Sequence, residues 1–347
     1  MPAPRSICLL RLSAIGDTCN AAAVVQAIRD HYPDTEITWI IGKAEASLMS
    51  GMPGVKLVVF DKTEGWRAYT NLRKKLKGQR FDMLCLMQVA LRANLASLCI
   101  SARRRIGYDK AKSKELHSLF INERIEATDK PHVLDTFRQF QKALDIPLEA
   151  PRWSLPVTEQ DQAWAQHQLD TGRKRHLVIV PAASNSERNW LPERYAAVAD
   201  YAADQGFAVY LCGGPSQTEK ALAESVQGHA RTPVRNLVGQ SSLKQLQAFL
   251  ATADVVIAPD TGPAHMAVAA GTPVIGLYAH SNPSRTGPYL WQRYVVDAYT
   301  PALKESRGET PEQTQWGQRL KGARLMERIT TEQVCNMLDR CIEEQEL

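Results

Sequence analysis

Short apolar runs alternate with longer amphipathic stretches along the first third of the chain. Each run is long enough for one strand and too short for a buried helix. Because strands that alternate with helices are typical of a parallel, doubly wound sheet, the pattern predicts an α/β protein. The predicted strands lie in the segments ICLLRL, EITWIIG, KLVVFD, FDMLCLMQ and RRIGY.

A proline-rich segment without a steady period, residues 146–157, interrupts the alternation and is typical of a linker. The pattern then restarts, which predicts two Rossmann-like domains, residues 1–155 and 156–325. We expect them to face each other across a cleft, because ligands bind beyond the carboxyl ends of such strands. Residues 326–347 predict a C-terminal helix whose apolar positions need a partner, with the N-terminal domain as a candidate. The strands predicted after the linker lie in HLVIVPAAS, AVYLCGG, VRNLVG, DVVIAPD and PVIGLY.

The composition is that of a globular protein, with 44% apolar and 23% charged residues. Since no apolar run is long enough to span a bilayer and the N-terminus has no signal-peptide pattern, we expect a cytoplasmic protein. The seven cysteines are scattered, which favours free buried thiols over a disulfide framework.

Positive charge is concentrated in one segment. Between Trp66 and Lys114 there are 13 Lys and Arg residues against two acidic residues, a net charge of +11, whereas the whole chain carries +5. Such a segment is either a set of solvated helix faces or a basic face that attracts an anionic partner. Nucleic acid, an acidic sugar and an anionic membrane surface are the candidate partners.

The segment ADVVIAPDTGPAHMAVAAG carries the clearest candidate binding site. A strand ends at Asp260, Thr261 or Gly262 can cap the following helix, and a proline suits the first turn. The N–H groups of that turn would form an anion site, Gly262 would allow a pyrophosphate to approach closely, and His265 could donate to a phosphate. Asp260 is better suited to a backbone group or a sugar hydroxyl. An ordinary capped turn is the alternative.

Two further loops follow predicted strands of the same domain. VIVPAASNSERNW contains Ser184 and Arg188, and the arginine is either a phosphate-binding cation or a solvated loop residue. LCGGPSQTEK contributes a tight glycine turn. Because the carboxyl ends of parallel strands share one edge of a sheet, the three loops together favour a nucleotide-diphosphate site in the C-terminal domain.

A glycine turn in RLSAIGD joins the first predicted strand to the first predicted helix. Such a turn often binds phosphate, but the carboxylate of Asp17 would repel a phosphate placed there. Asp17 is therefore either a helix N-cap or a group that faces a different ligand.

Several common motifs are absent from the sequence. There is no GxxxxGK[ST], no GxGxxG after the first strand and no HExxH, which argues against a P-loop NTPase, a dinucleotide enzyme and a zinc site. An Asp-x-Asp motif, which holds a metal on a sugar donor's diphosphate, is also absent. Backbone amides with Arg188 and His265 would then balance the diphosphate charge without a metal.

The two signatures RLSAIGD and PDTGPAHMAVAAGTPVIGLY, the latter followed by NPSRTGPY, resemble those of glycosyltransferase family 9, the lipopolysaccharide heptosyltransferases. The resemblance covers nearly the whole chain. Details of the N-terminal half, such as TEITWIIGK and RRRIGYDKAKSKELHSLFIN, most resemble the heptosyltransferase I type that acts on Kdo.

The resemblance implies a GT-B fold and an inverting, metal-independent transfer of heptose from ADP-heptose to an inner-core Kdo residue of lipid A, with no cofactor. It implies that Asp17 is the general base and that Arg92 and Lys114 lie near the anionic acceptor. For the donor it implies Ser184, Arg188, Asp260, Thr261, Gly262 and His265.

This sequence departs from the family pattern at three places, one of which is Ala183, where some relatives have a hydroxyl residue. Arg188 stands where the family usually has a lysine, which keeps the charge and changes its geometry. The family's ribose-binding glutamate has no clear counterpart, with Gln217 and Glu219 as candidates. The basic segment would meet the anionic acceptor and the cytoplasmic face of the inner membrane, with peripheral association.

Three alternatives remain open from the residues alone. A UDP-sugar 2-epimerase and another nucleotide-sugar transferase would share the fold. A non-catalytic nucleic-acid-binding protein would use the basic segment, although that segment lacks the interleaved aromatic residues that stack bases, so we expect no nucleic-acid partner.

Overall fold

The structure, a computed structural model, describes residues 3–322 and 324–347, and the chain divides into two compact units at Pro156 and Val157. The strands of the first unit are β1 (Ser6–Leu10), β2 (Glu36–Gly42), β3 (Val55–Phe60), β4 (Phe81–Leu86), β5 (Ala102–Gly107) and β6 (Glu123–Arg124). Its α-helices are α1 (Ile15–His31), α2 (Lys43–Met49), α3 (Arg67–Lys75), α4 (Leu91–Ser97) and α5 (Val133–Ala143).

The second unit repeats this alternation. Its strands are β7 (Arg175–Ile179), β8 (Phe207–Leu211), β9 (Val234–Asn236), β10 (Val255–Pro259), β11 (Val274–Tyr278) and β12 (Val295–Asp297). Its α-helices are α6 (Glu159–Gln168), α7 (Pro192–Asp204), α8 (Gln217–His229), α9 (Leu243–Leu250), α10 (Gly262–Ala270), α11 (Pro283–Thr286), α12 (Tyr299–Arg307) and α13 (Thr331–Glu344).

Each unit is built on one six-stranded parallel sheet. The strand order is β3-β2-β1-β4-β5-β6 in the first unit and β12-β11-β10-β7-β8-β9 in the second. Counted within each unit, both orders are that of a Rossmann fold, so the predicted α/β class with two doubly wound units is confirmed. In such a sheet, ligands bind where the strand order reverses, which is between β1 and β4 and between β7 and β10.

The central strands are apolar throughout because helices cover both faces of each sheet. Ile7 to Leu10 of β1 and Val255 to Ala258 of β10 are completely buried. One core of the first unit joins β1 and its neighbouring strands to the inward faces of α3 and α4 through Ala68, Leu72, Ala93 and Ala96. The predicted strands therefore correspond to apolar runs that helices bury on both faces of the sheet.

The C-terminal helix differs from expectation. Val334, Leu338 and Cys341 of α13 are fully buried and belong to the core of the second unit, where α13 packs on α7. The candidate packing of this helix on the N-terminal domain was wrong. Its apolar positions lie on one helical face, and α7 of its own unit supplies the complementary apolar surface.

The described part of the chain contains no helix with both the length and the apolar character needed to cross a bilayer. All seven cysteines are free, and five of them are buried.

Leu338→Ala tests the docking of α13. We expect the second unit to lose about 2–5 kcal/mol of stability, because a fully buried leucine leaves a cavity. Hydrogen-exchange mass spectrometry of peptides from α13 and α7 would measure the loss, with the exposed Asn336→Ala as the matched control. Equal protection in the two variants would contradict this packing.

A buried histidine ties the segment after β5 to α4. His117 is 1% exposed. Its Nδ1 lies 2.8 Å from Asn94 Oδ1, and its Nε2 accepts a hydrogen bond from the Tyr108 N–H at 3.1 Å. With one nitrogen accepting and the other facing an oxygen, the ring is neutral. Burial, with a smaller effect of Arg124, lowers the pKa of His117 from 6.5 to about 4.

We therefore expect the first unit to lose stability on acidification. Because the unfolded histidine binds a proton that the folded one excludes, stability present above pH 6.5 is lost as the pH falls to about 4. The loss from this group is about 3 kcal/mol at most. Urea unfolding between pH 4 and 7 would measure it, and His117→Gln should flatten this slope. An unchanged slope in that variant would contradict the assignment.

Candidate active site

In the second unit, an arginine spans the switch point between β7 and β10. Arg188 lies in the loop after β7, and its Nη1 donates to the Asp260 carbonyl at 2.8 Å and to Asp260 Oδ2 at 3.2 Å. The Ser281 hydroxyl, after β11, donates to the same carboxylate oxygen at 2.5 Å. Asp260 is 7% exposed, so its charge is balanced by a buried network. The ends of three strands are thereby fixed to one carboxylate.

The helix that begins beside this network is α10. Thr261 occupies the N-cap position but makes no side-chain cap; instead, its hydroxyl donates to the Ala182 carbonyl at 3.4 Å. Gly262 is the first helical residue. His265 lies in the first turn, with Nε2 at 4.0 Å from Asp260 Oδ1. A helix start without a side-chain cap offers its N–H groups and its positive dipole end to an anion.

The structure thus brings Arg188, Asp260, Thr261, Gly262 and His265 together at the carboxyl edge of the second sheet. Arg188 is mostly buried, and its Nε has no hydrogen-bond partner. It is therefore a fixed cation at the edge of the sheet, which differs from the solvated loop arginine considered above. Ser184 lies on the same loop and is exposed.

The glycine turn after β8 reaches the same edge. Glu219, in the first turn of α8, lies against this turn, and a Cβ on Gly214 would come within 2.7 Å of Glu219 Oε2. Burial raises the pKa of Glu219 above its usual value. Gln217, the other candidate for the ribose contact, is exposed. The half-buried carboxyl of Glu219 is the better placed of the two.

In the first unit, a second arginine spans the switch point between β1 and β4. Arg11 follows β1, and its Nη1 donates to the Met87 carbonyl, after β4, at 2.6 Å. Its Nη2 forms an ion pair with the carboxylate of Asp17. The guanidinium lies 5.2 Å from the centre of the Phe137 ring, and Arg11 is 9% exposed. Arg11 directly follows the apolar run of β1 and was not among the residues predicted from the sequence.

Asp17 is not an N-cap. Helix α1 has Ala14 at its N-cap position without a side-chain bond, and Asp17 is the third helical residue. Its carboxylate is one-third exposed and is held by Arg11. The N-cap alternative is therefore wrong, and Asp17 presents an oriented, accessible carboxylate at the edge of the first sheet.

A cavity of about 500 Å³ lies at this edge, within the first unit. It is bounded by the segments that follow the first five strands, and its charged lining residues are Lys43, Glu45, Asp61, Lys62, Arg92 and Glu115. Burial raises the pKa of Glu45, whereas hydrogen bonds from Thr63 and Lys43 lower the pKa of Asp61 to about 2.

The two predicted acceptor residues are placed differently. Arg92 lines this cavity and is exposed. Lys114 is exposed as well but is not one of the cavity's lining residues. Among the residues that the structure describes, no three His, Cys, Asp or Glu side chains are grouped so that they could hold a metal ion.

The two Rossmann-like units correspond to the GT-B fold, and similar solved structures agree. A family 9 glycosyl transferase from Veillonella parvula superimposes with a TM-score of 0.80 at 20% identity, covering 98% of this chain and 97% of that one. The Escherichia coli heptosyltransferase WaaC, solved with ADP, gives a TM-score of 0.71 at 20% identity, covering 98% and 99%.

Sequence comparison identifies the family. Residues 69–315 match the model of glycosyltransferase family 9 (heptosyltransferase). The lipopolysaccharide core heptosyltransferase OpsX of Haemophilus influenzae is 41% identical over 338 residues, which cover 97% of both chains. The chain belongs to glycosyltransferase family 9 and is a heptosyltransferase. This membership selects the transferase among the alternatives that the residues left open.

The Arg188–Asp260 pair is testable by a double-mutant cycle. Arg188→Met should cost about 3–5 kcal/mol, because it leaves a buried carboxylate with one neutral donor. Adding Asp260→Asn should cost less than the sum of the single changes, with a coupling of about 1–3 kcal/mol. Denaturant unfolding of the second unit would measure both.

The matched control is Arg231, an 81% exposed arginine that pairs with Asp200. We expect Arg231→Met to cost less than about 1 kcal/mol. Equal losses from Arg188→Met and Arg231→Met would show that the buried network does not hold the loops.

Proposed function

We propose that this heptosyltransferase acts in the lipopolysaccharide core and moves L-glycero-D-manno-heptose from ADP-heptose to a Kdo residue, with inversion and without a metal. The observation that carries the proposal is that each unit has a polar site at the edge of its sheet. One has a fixed arginine beside an uncapped helix start, and the other has a carboxylate held by a buried arginine. The first suits a diphosphate, and the second suits a hydroxyl that must lose a proton.

The donor would bind the second unit. Its diphosphate would lie on the first turn of α10, where the helix dipole, Arg188 and His265 offset its negative charge. Ser184 would contribute a hydroxyl from the exposed part of the β7 loop, and Glu219 would accept hydrogen bonds from a ribose. The ADP bound to the related WaaC supports an adenosine diphosphate donor.

The acceptor would bind the first unit, in the cavity beside Arg92. The carboxylate of Kdo and the phosphates of lipid A are anionic, and the basic segment attracts them. Lys114 would act at the margin of this region, because it does not line the cavity. The Haemophilus relative, which is an enzyme of the lipopolysaccharide core, supports this acceptor class.

In the reaction, Asp17 would take the proton from the acceptor hydroxyl while the hydroxyl oxygen forms a bond to the anomeric carbon of the heptose. The bond from that carbon to the diphosphate oxygen breaks, and ADP leaves with the electron pair. Attack opposite to the departing group inverts the anomeric centre. The residues around α10 stabilise the charge that develops on ADP, which replaces the role of a metal.

Arg11 is proposed as a positioning residue. It holds one oxygen of Asp17 and leaves the carboxylate accessible. Because Arg11 is anchored on the Met87 carbonyl and packed over Phe137, it fixes the direction of the carboxylate at the edge of the first sheet. Such orientation matters for proton transfer, which requires hydrogen-bond distance.

The function is tested by turnover with ADP-heptose and Kdo-lipid A, following ADP release and the mass of the glycosylated product. We expect product with ADP-heptose, none with UDP-sugars, and the same rate after treatment with EDTA. Calorimetry with ADP and UDP separates this donor from that of a UDP-sugar enzyme. Tight binding of UDP with none of ADP would overturn the proposal.

Asp17→Asn should lower kcat by roughly 10²–10⁴-fold, because the amide cannot accept the proton. The Kd for ADP should stay within about twofold, since the donor site lies on the other sheet. Single-turnover kinetics and calorimetry would measure the two values. Asp30→Asn, at an exposed position of the same helix, is the control and should keep full activity. Full activity of Asp17→Asn would exclude the general-base role.

We further propose that the enzyme works at the cytoplasmic face of the inner membrane as a peripheral protein, since its acceptor is anchored there by lipid A. The net charge of +11 between Trp66 and Lys114 supports attraction to an anionic leaflet, which salt would weaken.

A further inference from the structure

The exposed apolar side chains are concentrated in one part of the first unit. Among the described residues, seven large hydrophobic side chains are exposed, and five of them lie between positions 66 and 119. The most exposed are Trp66 at 78% and Leu119 at 76%. The five, which we call the α3–α4 surface, are Trp66, Leu91, Leu98, Leu116 and Leu119.

Contacts around α3 join one side of this surface. The Trp66 ring lies 5.5 Å from the ring of Tyr69. The Cys99 thiol donates to the Tyr69 carbonyl at 3.5 Å. Trp66 therefore lies on one side of the contact between Tyr69 and Cys99, and Leu98, which precedes Cys99, lies on the other.

Contacts around α4 join the other side. The N–H of Leu91 donates to the Glu115 carboxylate, and the Asn94 amide donates to the Glu115 carbonyl at 3.0 Å. Leu116 therefore lies beside the start of α4.

Arg105 links the last turn of α4 to the segment that carries Leu119. Its Nη2 donates to the Ser97 carbonyl at 3.0 Å, and its Nε donates to the Phe120 carbonyl at 2.8 Å. Leu98 and Leu119 each neighbour one of these bonded residues, so the segments that carry the five exposed side chains lie together around α4.

The five side chains are exposed because the inward positions beneath them are already filled. Ala68, Leu72, Ala93, Ala96 and Ile100 pack into the core under α3 and α4. The surface therefore rests on an ordered scaffold. Its apolar groups have no place in the core of the first unit.

Cations surround this surface. Arg67, Arg73, Lys74, Arg92 and Lys114 are all exposed. Burial raises the pKa of Cys99, and the positive charge of Arg73 opposes this rise. Burial also raises the pKa of Tyr69, and the positive charge of Arg92 opposes it. Both guanidinium groups therefore act on residues of the α3–α4 contact. Two acids lie here as well, and each accepts a hydrogen bond: Glu64 from Asn71 and Glu115 from the Leu91 N–H.

We propose that the α3–α4 surface docks on an anionic lipid bilayer, with Trp66 and the leucines entering the interface and the cations contacting lipid phosphates. A bilayer offers a separate region to each of these groups. Tryptophan is enriched at the interface, apolar side chains insert among the acyl chains, and the surrounding cations contact anionic headgroups. A single-stranded nucleic acid would need several stacking rings, and Trp66 is the one exposed aromatic side chain among the large exposed hydrophobics of the described chain.

The surface is continuous with the acceptor cavity. Leu91 belongs to the surface, and Leu91, Arg92 and Glu115 all line the cavity. This inference rests on the proposed function, since it explains how a lipid-anchored sugar reaches Asp17 while its acyl chains stay in the bilayer.

The test uses the full chain and vesicles of phosphatidylethanolamine and phosphatidylglycerol, with phosphatidylcholine vesicles as the neutral comparison. We expect salt-sensitive sedimentation with the anionic vesicles only. Brominated lipids should quench the wild-type tryptophan fluorescence, and Trp66→Phe should remove most of that quenching. The double variant Trp66→Ser/Leu119→Ser should weaken vesicle binding roughly tenfold or more, because it removes two large apolar groups from the interface.

Matched variants in the second unit supply the controls. Leu290→Ser changes an exposed leucine outside the surface, and it should bind as the wild type does. Arg73→Glu/Lys74→Glu should abolish binding at moderate salt, whereas the exposed pair Arg173→Glu/Lys174→Glu should have little effect.

Turnover of a delipidated, water-soluble Kdo acceptor separates the two proposals. The Trp66→Ser/Leu119→Ser, Leu290→Ser and Arg173→Glu/Lys174→Glu variants should keep wild-type turnover with it, because none of these residues lines the cavity beside Arg92. Absent turnover in the wild type would overturn the proposed function and leave the vesicle result standing. Three results would overturn the docking surface. The surface variants could bind vesicles as the wild type does, or the second-unit controls could lose as much vesicle binding as the surface variants. The protein could also bind RNA and not vesicles.

Discussion

A single arginine at the switch point of each sheet holds the ends of two strands that are distant in sequence. Arg188 bonds both the carbonyl and the carboxylate of Asp260, and Arg11 bonds the Met87 carbonyl and the carboxylate of Asp17. In both units the guanidinium is largely buried, so its orientation is set by the fold. The placement of both candidate sites depends on these bridges, because a loop at a sheet edge has few other constraints.

The two aspartates held by these arginines differ in burial and in the number of hydrogen-bond donors around them. Asp260 is buried and engaged by Arg188 and Ser281, so it organises the loops. Asp17 has one arginine partner and remains one-third exposed, so it can face a ligand. Two aspartates at equivalent edges of two similar sheets therefore have different chemistry, and the number of buried donors around each is the physical reason.

Much of the fold was predictable because strands buried on both faces appear as continuous apolar runs. Strands β6 and β12 have only two and three residues, so neither contains such a run. Helix α6 was missed because only Ala165 is buried in it, so it has no apolar period. The packing of α13 could not be derived, since an amphipathic face indicates that a partner exists and does not identify it.

The residues around the start of α10 were found because a strand, a short turn and a helix start are local in sequence. Arg11 and Ser281 were missed for the opposite reason. Arg11 reaches Met87, which lies 76 residues away, and Ser281 reaches Asp260 after a further strand and its preceding helix. Whether Asp17 caps α1 depends on where the helix begins, and the composition of RLSAIGD left that open.

Both sheets have the same strand order, and each has its own core and its own arginine bridge. The bridge between the β1 and β4 loops and the bridge between the β7 and β10 loops have no residue in common. In evolutionary terms the molecule is modular. Under the proposed function, in which donor and acceptor bind different units, a lineage can change its acceptor while keeping its donor, so sequence divergence should accumulate unevenly between the two halves.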